Sequence, residues 1–240
     1  VRSISFMMST IKRQAASCIF GLAPHVRHLI KRRFQQIEDD PDNEMTGFKF
    51  TGSNASALEN LATKLLELAD HLPEEDPKFE QMMTAVSEKQ AIENNKIIIF
   101  STFRFTLRYL KRKLQAAGLR VEQVDGSVKD LVRQELRMRF ELPKSDENAI
   151  DILLFTEVGS EGLDYQFCDM INYDLPWNPM KIEQRIGRID RRGQKSETVS
   201  IYNMITNGTV DADIYYRCLW RIGIFESSIG ECEEILGDIA

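Results

Sequence analysis

The chain has 240 residues and a formal net charge of −6, with 42% hydrophobic and 28% charged residues. This length suffices for one sizeable domain with appendages or for two small ones. No apolar run reaches the ~20 residues that a membrane-spanning helix needs, so we expect no membrane partner. The acidic balance argues mildly against a nucleic-acid partner, so any surface that binds nucleic acid must be local.

The first eight residues, Val1 to Met8, lack the pattern of a signal peptide and do not begin with Met. We therefore expect a fragment of a longer protein. Four cysteines lack the paired spacing of a zinc site or a disulfide framework: Cys18, Cys168, Cys218 and Cys232. We expect reduced thiols, no metal site and a cytoplasmic location.

Residues 1–94 are predicted to form a helical region. Apolar periodicity predicts helices over Ser9–Ile37, with a break at Pro24, over Ala57–Leu72 and over Pro77–Glu93. Asp, Asn, Gly and Ser residues predict a loop over Asp39–Ser56. Basic residues crowd the start of this region, at Lys12, Arg13, Arg27, Lys31, Arg32 and Arg33.

Residues 95–208 are predicted to form an α/β core. Five strands are predicted, over Ile97–Phe100, Leu119–Val124, Ile150–Phe155, Met170–Tyr173 and Val199–Ile205, and the first is a continuous apolar run, as in a strand buried on both faces. Helical patterns cover Phe103–Ala117, Lys129–Leu142 and Lys181–Arg192. This alternation predicts a parallel sheet with right-handed crossovers and helices on both faces. Residues 209–240 are predicted to form a helical tail, over Asp211–Leu236.

The segment from Asp174 to Lys195 carries the densest chemistry. Asn178 is a good N-cap and Pro179 suits the first helical turn. At about 100° per residue, Gln184, Arg188 and Arg191 fall within roughly 60° of one another. Arginine is suited to forked recognition of phosphate oxygens, so this face could clamp a γ-phosphate.

The opposite face of this helix is apolar, with Ile182, Ile186 and Ile189, and we expect it to pack on the sheet. Arg185 and Arg192 lie off the clamp face and are expected to be surface residues. From spacing alone, a solvated amphipathic helix without a ligand remains an equal alternative.

The run from Gln184 to Arg191 resembles motif six of superfamily-two helicases, Q-x-x-G-R-x-x-R. Its continuation to Gln194 resembles the R-x-G-Q ending of Swi/Snf-type ATPases, and Trp177-Asn178-Pro179 resembles their W-N-P element. The resemblance implies a RecA-like C-terminal motor lobe. It also implies that Arg188 and Arg191 face the nucleotide with Gln184, and that Arg191 is the arginine finger.

The segment Thr156–Asp164 resembles motif five of the same superfamily, T-D-x-x-x-x-G-L-D. By this resemblance, Thr156 contacts the nucleic-acid backbone, while Gly162 and Asp164 lie by the nucleotide. Many eukaryotic remodellers carry a G-L-N ending here. Asp164 therefore indicates a bacterial, RapA-like member and casts doubt on a chromatin role.

Two further segments resemble family motifs. Lys96–Leu110 resembles motif four, and Asp125-Gly126-Ser127 with Arg133 and Phe140 resembles the stretch D-G-S-x5-R-x6-F. The resemblance implies nucleic-acid contacts at Ser101, Thr102, Gly126, Ser127, Arg133 and Trp177. Phe140 is expected to be a core residue in any case. The stretch Lys12–Ala23 is also similar to bacterial Swi/Snf-type proteins, but an amphipathic helix with basic surface residues explains it equally well.

The sequence lacks a phosphate loop, G-x-x-x-x-G-K-[S/T], and an acidic D-E-x-H or D-E-A-D motif. In the family both lie on the N-terminal motor lobe, to which residues 1–94 would connect. The resemblance thus implies ATP and Mg²⁺, with the Mg²⁺ ligands on that lobe. It implies an enzyme that translocates on duplex DNA without sequence preference, on the bacterial nucleoid, and a fragment that is inactive alone.

Two alternatives remain. An RNA helicase lobe of the DEAD-box type would carry H-R-x-G-R-x-G-R, from which Gln184 and Asp190 depart. A catalytically dead adaptor lobe would keep the fold for protein binding, although intact Arg188 and Arg191 speak against it.

Overall fold

The computed structural model describes residues 2–31, 55–157, 165, 167–176, 178–189 and 199–218. The N-terminal helices are α1 (Arg2–Ser17), a 3₁₀ turn (Ile19–Gly21), α2 (Leu22–Lys31), α3 (Ala55–Ala69) and α4 (Pro77–Gln90). Then follow β1 (Ile97–Phe100), α5 (Arg104–Ala116), β2 (Val121–Val124), α6 (Asp130–Glu141), β3 (Ile152–Phe155), β4 (Asp169–Asn172), α7 (Pro179–Ile186) and β5 (Ile201–Asn203). Residues 210–218 are helical.

The five strands form one parallel sheet in the order β2-β3-β1-β4-β5. Ile97 of β1 pairs with Ile152 of β3 on one side and with Asp169 of β4 on the other. All five predicted strands are present, each within a few residues of its predicted bounds, and the predicted parallel α/β sheet is confirmed.

The apolar run of β1 is buried on both faces of the sheet. Ile97 and Ile99 pack in a core with α4 and α5, whereas Ile98 and Phe100 pack in a second core with α6. This division follows from the strand period of two, which points successive side chains to opposite faces. Phe140 of α6 lies wholly inside the second core, so the prediction that it is a core residue is confirmed.

Helix α4 is fixed to the sheet through its own N-cap. The carboxylate of Asp76 accepts a hydrogen bond from the Phe79 amide at 3.1 Å and another from the Tyr109 hydroxyl of α5 at 2.9 Å. Phe79 belongs to the same core as β1, as does Cys18 from the segment after α1. Packing therefore runs across residue 94, and the division at residues 94 and 208 stays a prediction.

The break in the N-terminal helix lies at Cys18, not at Pro24. Pro24 is the third residue of α2, where its missing N–H costs no intrahelical hydrogen bond. The chain turns at Gly21, whose backbone approaches α5 so closely that a Cβ would lie 3.3 Å from the Thr106 nitrogen. The position of the turn is therefore set by the contact between Gly21 and α5, which is distant in the sequence, and not by Pro24.

The remaining predictions for the ends of the chain are only partly covered. Helix α3 begins two residues before its predicted start, and the rest of the predicted loop lies outside the described residues. The predicted tail helix is present as far as residue 218, and its remainder also lies outside them. In the part of the chain that the structure describes, no helix is both long and apolar enough to cross a membrane.

Candidate functional site

The predicted motif residues gather at one edge of the sheet. Ser101 follows β1, Asp125 follows β2, Thr156 follows β3, and Asp174 lies two residues after β4. Because the strands are parallel, their carboxyl ends lie on the same edge, which is where open α/β sheets bind ligands. The topology therefore brings together four segments that are far apart in the sequence.

Asp174 is the centre of a buried polar network at this edge. Its carboxylate accepts hydrogen bonds from the Ser101 hydroxyl at 2.5 Å, the Ser17 hydroxyl at 2.5 Å and the Thr102 amide at 2.7 Å. Burial by itself would raise the pKa of Asp174. The nearby charge of Arg185 and the hydroxyl donors outweigh burial, so the pKa of Asp174 lies below its ordinary value.

This network gives Ser101 and Thr102 different surroundings. Ser101 is fully buried and donates to Asp174, so in this structure its side chain holds the loop in place. Thr102 is half-buried, and its hydroxyl has no hydrogen-bond partner among the described residues. The Thr102 hydroxyl oxygen is itself buried, so neither hydroxyl of this predicted nucleic-acid contact pair faces outward in this structure.

Arg185 was predicted to be a surface residue, and that prediction is wrong. Its side chain is 1% exposed. Its guanidinium donates to Glu157 Oε1 at 2.7 Å, to Asn172 Oδ1 at 2.8 Å and to the Asp174 carbonyl at 2.9 Å. A buried charge is tolerated when it is paired and hydrogen-bonded, and here the acceptors come from the ends of β3 and β4.

The start of α7 follows its prediction. The Asn178 side chain accepts a hydrogen bond from the Met180 amide at 3.1 Å, and Pro179 is the first helical residue. The predicted helix runs to Arg192, whereas α7 ends at Ile186. The Arg188 amide then donates to the Arg185 carbonyl at 3.0 Å, and the Ile189 amide to that of Ile186 at 2.9 Å. These are tighter, three-residue turns, so Arg188 does not continue the helical face of Gln184.

The two described clamp residues remain accessible. Gln184 is exposed and Arg188 is half-buried. The backbone of Arg188 is fixed, because its carbonyl accepts a hydrogen bond from the Tyr165 amide at 2.8 Å. The position of Arg188 is thus set by a backbone contact with residue 165, just beyond the predicted motif-five loop.

The apolar face of this segment packs against two different partners. Ile189 lies in the sheet core with Phe140, as predicted for the whole face. Ile182 instead packs with Ile214 and Tyr215 of the C-terminal segment, and Ile186 borders that cluster. The expectation that all three isoleucines pack on the sheet is therefore wrong for Ile182 and Ile186.

The loop after β2 is held in a turn by its own side chains. The Asp125 carboxylate accepts hydrogen bonds from the Ser127 amide at 2.9 Å and from the Ser127 hydroxyl at 2.5 Å. Burial would raise the pKa of Asp125, but these bonds and one from Gln123 lower it. Arg133 donates to the Val128 carbonyl at 2.8 Å and to the Asp125 carbonyl at 3.2 Å. Arg133 thus supports the loop, on which Ser127 is exposed.

Four predicted site residues lie outside the described part of the chain: Gly162, Asp164, Trp177 and Arg191. Thr156, which precedes the first two, is buried at the end of β3. In the described ranges, no cluster of three His, Cys, Asp or Glu residues could hold a metal ion.

Sequence reasoning missed the network around Asp174, in which Ser17, Glu157 and Asn172 take part. Glu157 directly follows the motif threonine, so a pairing with a nearby arginine could have been considered. Ser17 gave no such signal, because it is the last residue of α1 and lies 157 positions before Asp174 in the sequence.

Residues 77–193 match the protein family described as helicase conserved C-terminal domain. This match begins at the first residue of α4. Among solved structures, the crystal structure of the C-terminal part of the Fun30 ATPase domain has a TM-score of 0.53 at 20% identity. The alignment covers 80% of this chain and 64% of that one. This likeness shows the fold alone, and the predicted RecA-like sheet is confirmed.

Three curated relatives are similar over longer or shorter parts of the chain. The uncharacterized ATP-dependent helicase YqhH of Bacillus subtilis is 42% identical over 61% of this chain and 25% of its own length. The DNA excision repair protein ERCC-6-like of Danio rerio is 30% identical over 88% of this chain and 14% of its own length. The RNA polymerase-associated protein RapA of Yersinia enterocolitica is 32% identical over 51% of this chain and 12% of its own length. The chain therefore spans a quarter or less of each relative.

Proposed function

We propose that this chain, which matches the helicase conserved C-terminal domain over residues 77–193 and is similar to Swi/Snf-type superfamily-two helicases, is one half of an ATP-dependent duplex-DNA translocase. In this proposal the lobe supplies the arginine finger, Arg191, and part of the DNA track. ATP binds between this lobe and an N-terminal motor lobe of the same protein. The protein acts on the bacterial nucleoid, in the cytoplasm.

The observation that carries the proposal is the junction between the arginine segment and the loop after β3. The buried Arg185 side chain joins the partly exposed Glu157 to Asn172 and to the Asp174 backbone. The segment that leads to Arg188 is thereby fixed against the carboxyl edge of the sheet. A clamp for phosphate needs this preorganisation, since a displaced donor loses most of its effect.

The chemistry proposed for this lobe is electrostatic. Arg188 and Arg191, together with Gln184 from the last turn of α7, would bind the γ-phosphate of ATP and stabilise the charge that develops as it is transferred. An arginine finger contributes about 10³–10⁵ in rate in enzymes that transfer phosphoryl groups. Gly162 and Asp164 would lie by the nucleotide. Mg²⁺ would supply further charge neutralisation, held by carboxylates of the N-terminal lobe.

The DNA track is proposed to run along the same edge. Thr102, Gly126, Ser127, Thr156 and Trp177 would lie along the phosphates, and Ser127 is the residue of the loop after β2 that is exposed toward them. Ser101 and Arg133 would act by holding their loops, because both side chains already bond to the protein. Contacts of this kind give affinity without reading sequence, which suits a motor that moves along DNA. The ERCC-6-like relative is named as a DNA excision repair protein, which supports this choice.

The finger assignment is tested in the full-length protein with Arg191→Ala. We expect duplex-stimulated ATP hydrolysis to fall by at least about 10³-fold while binding of a fluorescent ATP analogue persists. Arg191→Lys should not rescue, because an ammonium lacks the planar fork of a guanidinium. The neighbouring Arg192→Ala removes the same charge and serves as the control that keeps its activity.

Wild-type turnover in Arg191→Ala would remove Arg191 from this role. Stimulation of the full-length protein by RNA but not by duplex DNA would favour the DEAD-box alternative. Absence of any ATP hydrolysis by the full-length protein, with DNA or RNA, would favour the adaptor lobe.

The half-site assignment is tested with the 240-residue chain alone. We expect no ATP hydrolysis with or without duplex DNA, because the phosphate loop and the acidic motif are absent from its sequence. A turnover that the purified chain shows, and that Arg191→Ala abolishes, would contradict the proposal. The second condition separates genuine activity from a contaminating ATPase.

A further inference from the structure

Charge is strongly segregated in this chain. Asp and Glu number 37 against 31 Lys and Arg, yet residues 2–31 contain five basic residues and no carboxylate. Helix α5 repeats this composition, with Arg104, Arg108, Lys111, Arg112 and Lys113 and again no carboxylate. In the first segment Arg13 is buried and Arg27 pairs with Asp70, so the accessible charge lies mainly on α5 and indicates a local surface for an anionic partner there.

These two segments are packed together. The Gln14 side chain of α1 donates to the Thr106 hydroxyl of α5 at 2.9 Å. The His25 ring of α2 is stacked on the Phe105 ring of α5, with ring centres 5.2 Å apart. The two basic segments therefore belong to one continuous part of the molecule.

The outer side of α5 carries a line of arginines. Leu107, Leu110 and Leu114 are buried against the sheet, whereas Arg108 and Arg112 are exposed. Arg104, Arg108 and Arg112 follow each other at four-residue intervals, so they advance about 6 Å per step along one side of the helix. Duplex DNA carries about one charge per 1.7 Å of its axis, so a line of this length can meet several phosphates.

Arg108 and Arg112 are the members of this line that remain available. Neither has a carboxylate partner among the described residues. Lys111, by contrast, pairs with Glu122 at 2.7 Å. The Arg108 guanidinium lies over the Phe105 ring at 5.4 Å, and the Arg112 guanidinium over the Tyr109 ring at 5.9 Å. These rings hold the two guanidiniums in place, which lowers the entropy lost when they bind.

The line begins at the edge of the sheet where the DNA track is proposed. Arg104 is the first residue of α5 and stands two positions after Thr102. Its charge also contributes, after the hydrogen bonds from Ser127 and Gln123, to the lowered pKa of Asp125. Arg104 therefore lies near both loops of the track, and the line runs from there outward along the helix.

We propose that α5 carries a second phosphate-binding surface, with Arg108 and Arg112 as its principal contacts, that holds the duplex backbone beyond the loops of the sheet edge. This inference rests on the proposed function, because it takes duplex DNA as the partner. It differs from the track in using a helix face instead of strand-end loops. A motor that steps along DNA would gain a contact that persists while the loops release.

The test measures how duplex binding by the full-length protein depends on salt, using fluorescence anisotropy with a labelled duplex. The variant Arg108→Gln/Arg112→Gln removes two phosphate contacts, so the slope of log Kobs against log[salt] should become shallower by about 1.8. At about 0.15 M salt the affinity should fall about 30-fold, by the same relation. The DNA concentration that gives half-maximal ATPase stimulation should rise by a similar factor.

A control removes two basic residues at the opposite edge of the sheet, the half-buried Arg139 and the exposed Lys144. Arg139 donates to the Asn148 carbonyl in the loop before β3, and Lys144 lies in that loop. Arg139→Gln/Lys144→Gln should leave the salt slope unchanged.

An unchanged slope in the α5 variant would overturn the inference, and so would an equal drop in the control, which would indicate a general charge effect. If duplex DNA stimulates the wild-type ATPase but the α5 variant keeps its slope, only this inference fails. If duplex DNA neither binds to nor stimulates the wild-type protein, the proposed function fails.

Discussion

Replacing Arg185 with alanine would leave several buried acceptors without their donor. Glu157 would lose its ion-pair partner, and Asn172 and the Asp174 carbonyl would each lose a hydrogen bond. The fully buried Asp174 carboxylate would also lose the charge that favours its ionised form. Removing one partner of a buried pair costs about 3–5 kcal/mol, against about 0–1 kcal/mol for an exposed pair. Because Glu157 is 16% exposed and can be partly rehydrated, we expect about 3 kcal/mol.

Urea unfolding of the chain measures this loss. With a slope of about 2–3 kcal/mol per molar urea, the midpoint should fall by about 1 M for Arg185→Ala. The control is Arg27→Ala, whose ion pair with Asp70 is 56% and 65% exposed. It should change the free energy of unfolding by less than about 1 kcal/mol. Arg185→Lys should fall between the two, because one ammonium cannot reach all the acceptors.

The reasoning would be refuted by equal midpoints for Arg185→Ala and Arg27→Ala. A double-mutant cycle with Glu157→Gln sharpens the test. If the pair stabilises the junction directly, the coupling between the two positions should be about 1–3 kcal/mol. Additive effects would instead locate the stabilisation in the bonds to Asn172 and Asp174.

Three further predictions concern the packing around the sheet. Burial raises the pKa of Asp211 to about 6 despite the nearby Lys78, so the folded chain keeps a proton that the unfolded chain has released. The free energy of unfolding should therefore fall as pH rises from about 4 to about 6. Urea titrations at several pH values measure this fall, and Asp211→Asn should reduce it by up to about 3 kcal/mol. Gly21→Ala should lower the free energy of unfolding by about 1–3 kcal/mol, because the new methyl group would crowd α5. The melting temperature should drop by about 2–4 °C per kcal/mol, and an unchanged melting temperature would mean that the turn can shift. Ser17→Ala should lower the free energy of unfolding by about 1.5–3 kcal/mol, because it removes a hydrogen-bond donor to the Asp174 carboxylate. The same stability as wild type in urea would show that the donors from Ser101 and Thr102 satisfy this carboxylate without Ser17.

The sheet was predictable because its signals are local. Four consecutive apolar residues, as in Ile97–Phe100 and Ile152–Phe155, are typical of a strand covered on both faces, and both runs are strands. Asn178 and Pro179 predicted the start of α7 for a similar reason, since a cap acts within its own turn. Parallel order then required the motif loops to meet at one edge.

The arginine segment shows where local reasoning stops. The helical pattern assigned Arg185 to the surface because the pattern records only polarity, and a buried guanidinium needs acceptors that the pattern cannot contain. Those acceptors come from Glu157 and Asn172, on two other strand ends. The end of α7 at Ile186 was also beyond the pattern, because residue 165 fixes the backbone of Arg188 from outside.

The sequence by itself determined the apolar strands, the cap of α7 and the motifs, because each depends on neighbours within one turn or one strand. The tertiary structure decided which polar groups are buried together, and with them the break at Cys18, the pairing of Arg185 and the bond from Ser17 to Asp174. Burial of a charge or hydroxyl costs free energy unless a partner satisfies it. At this sheet edge the partners lie up to 157 positions away, so only the folded chain brings them within hydrogen-bond distance.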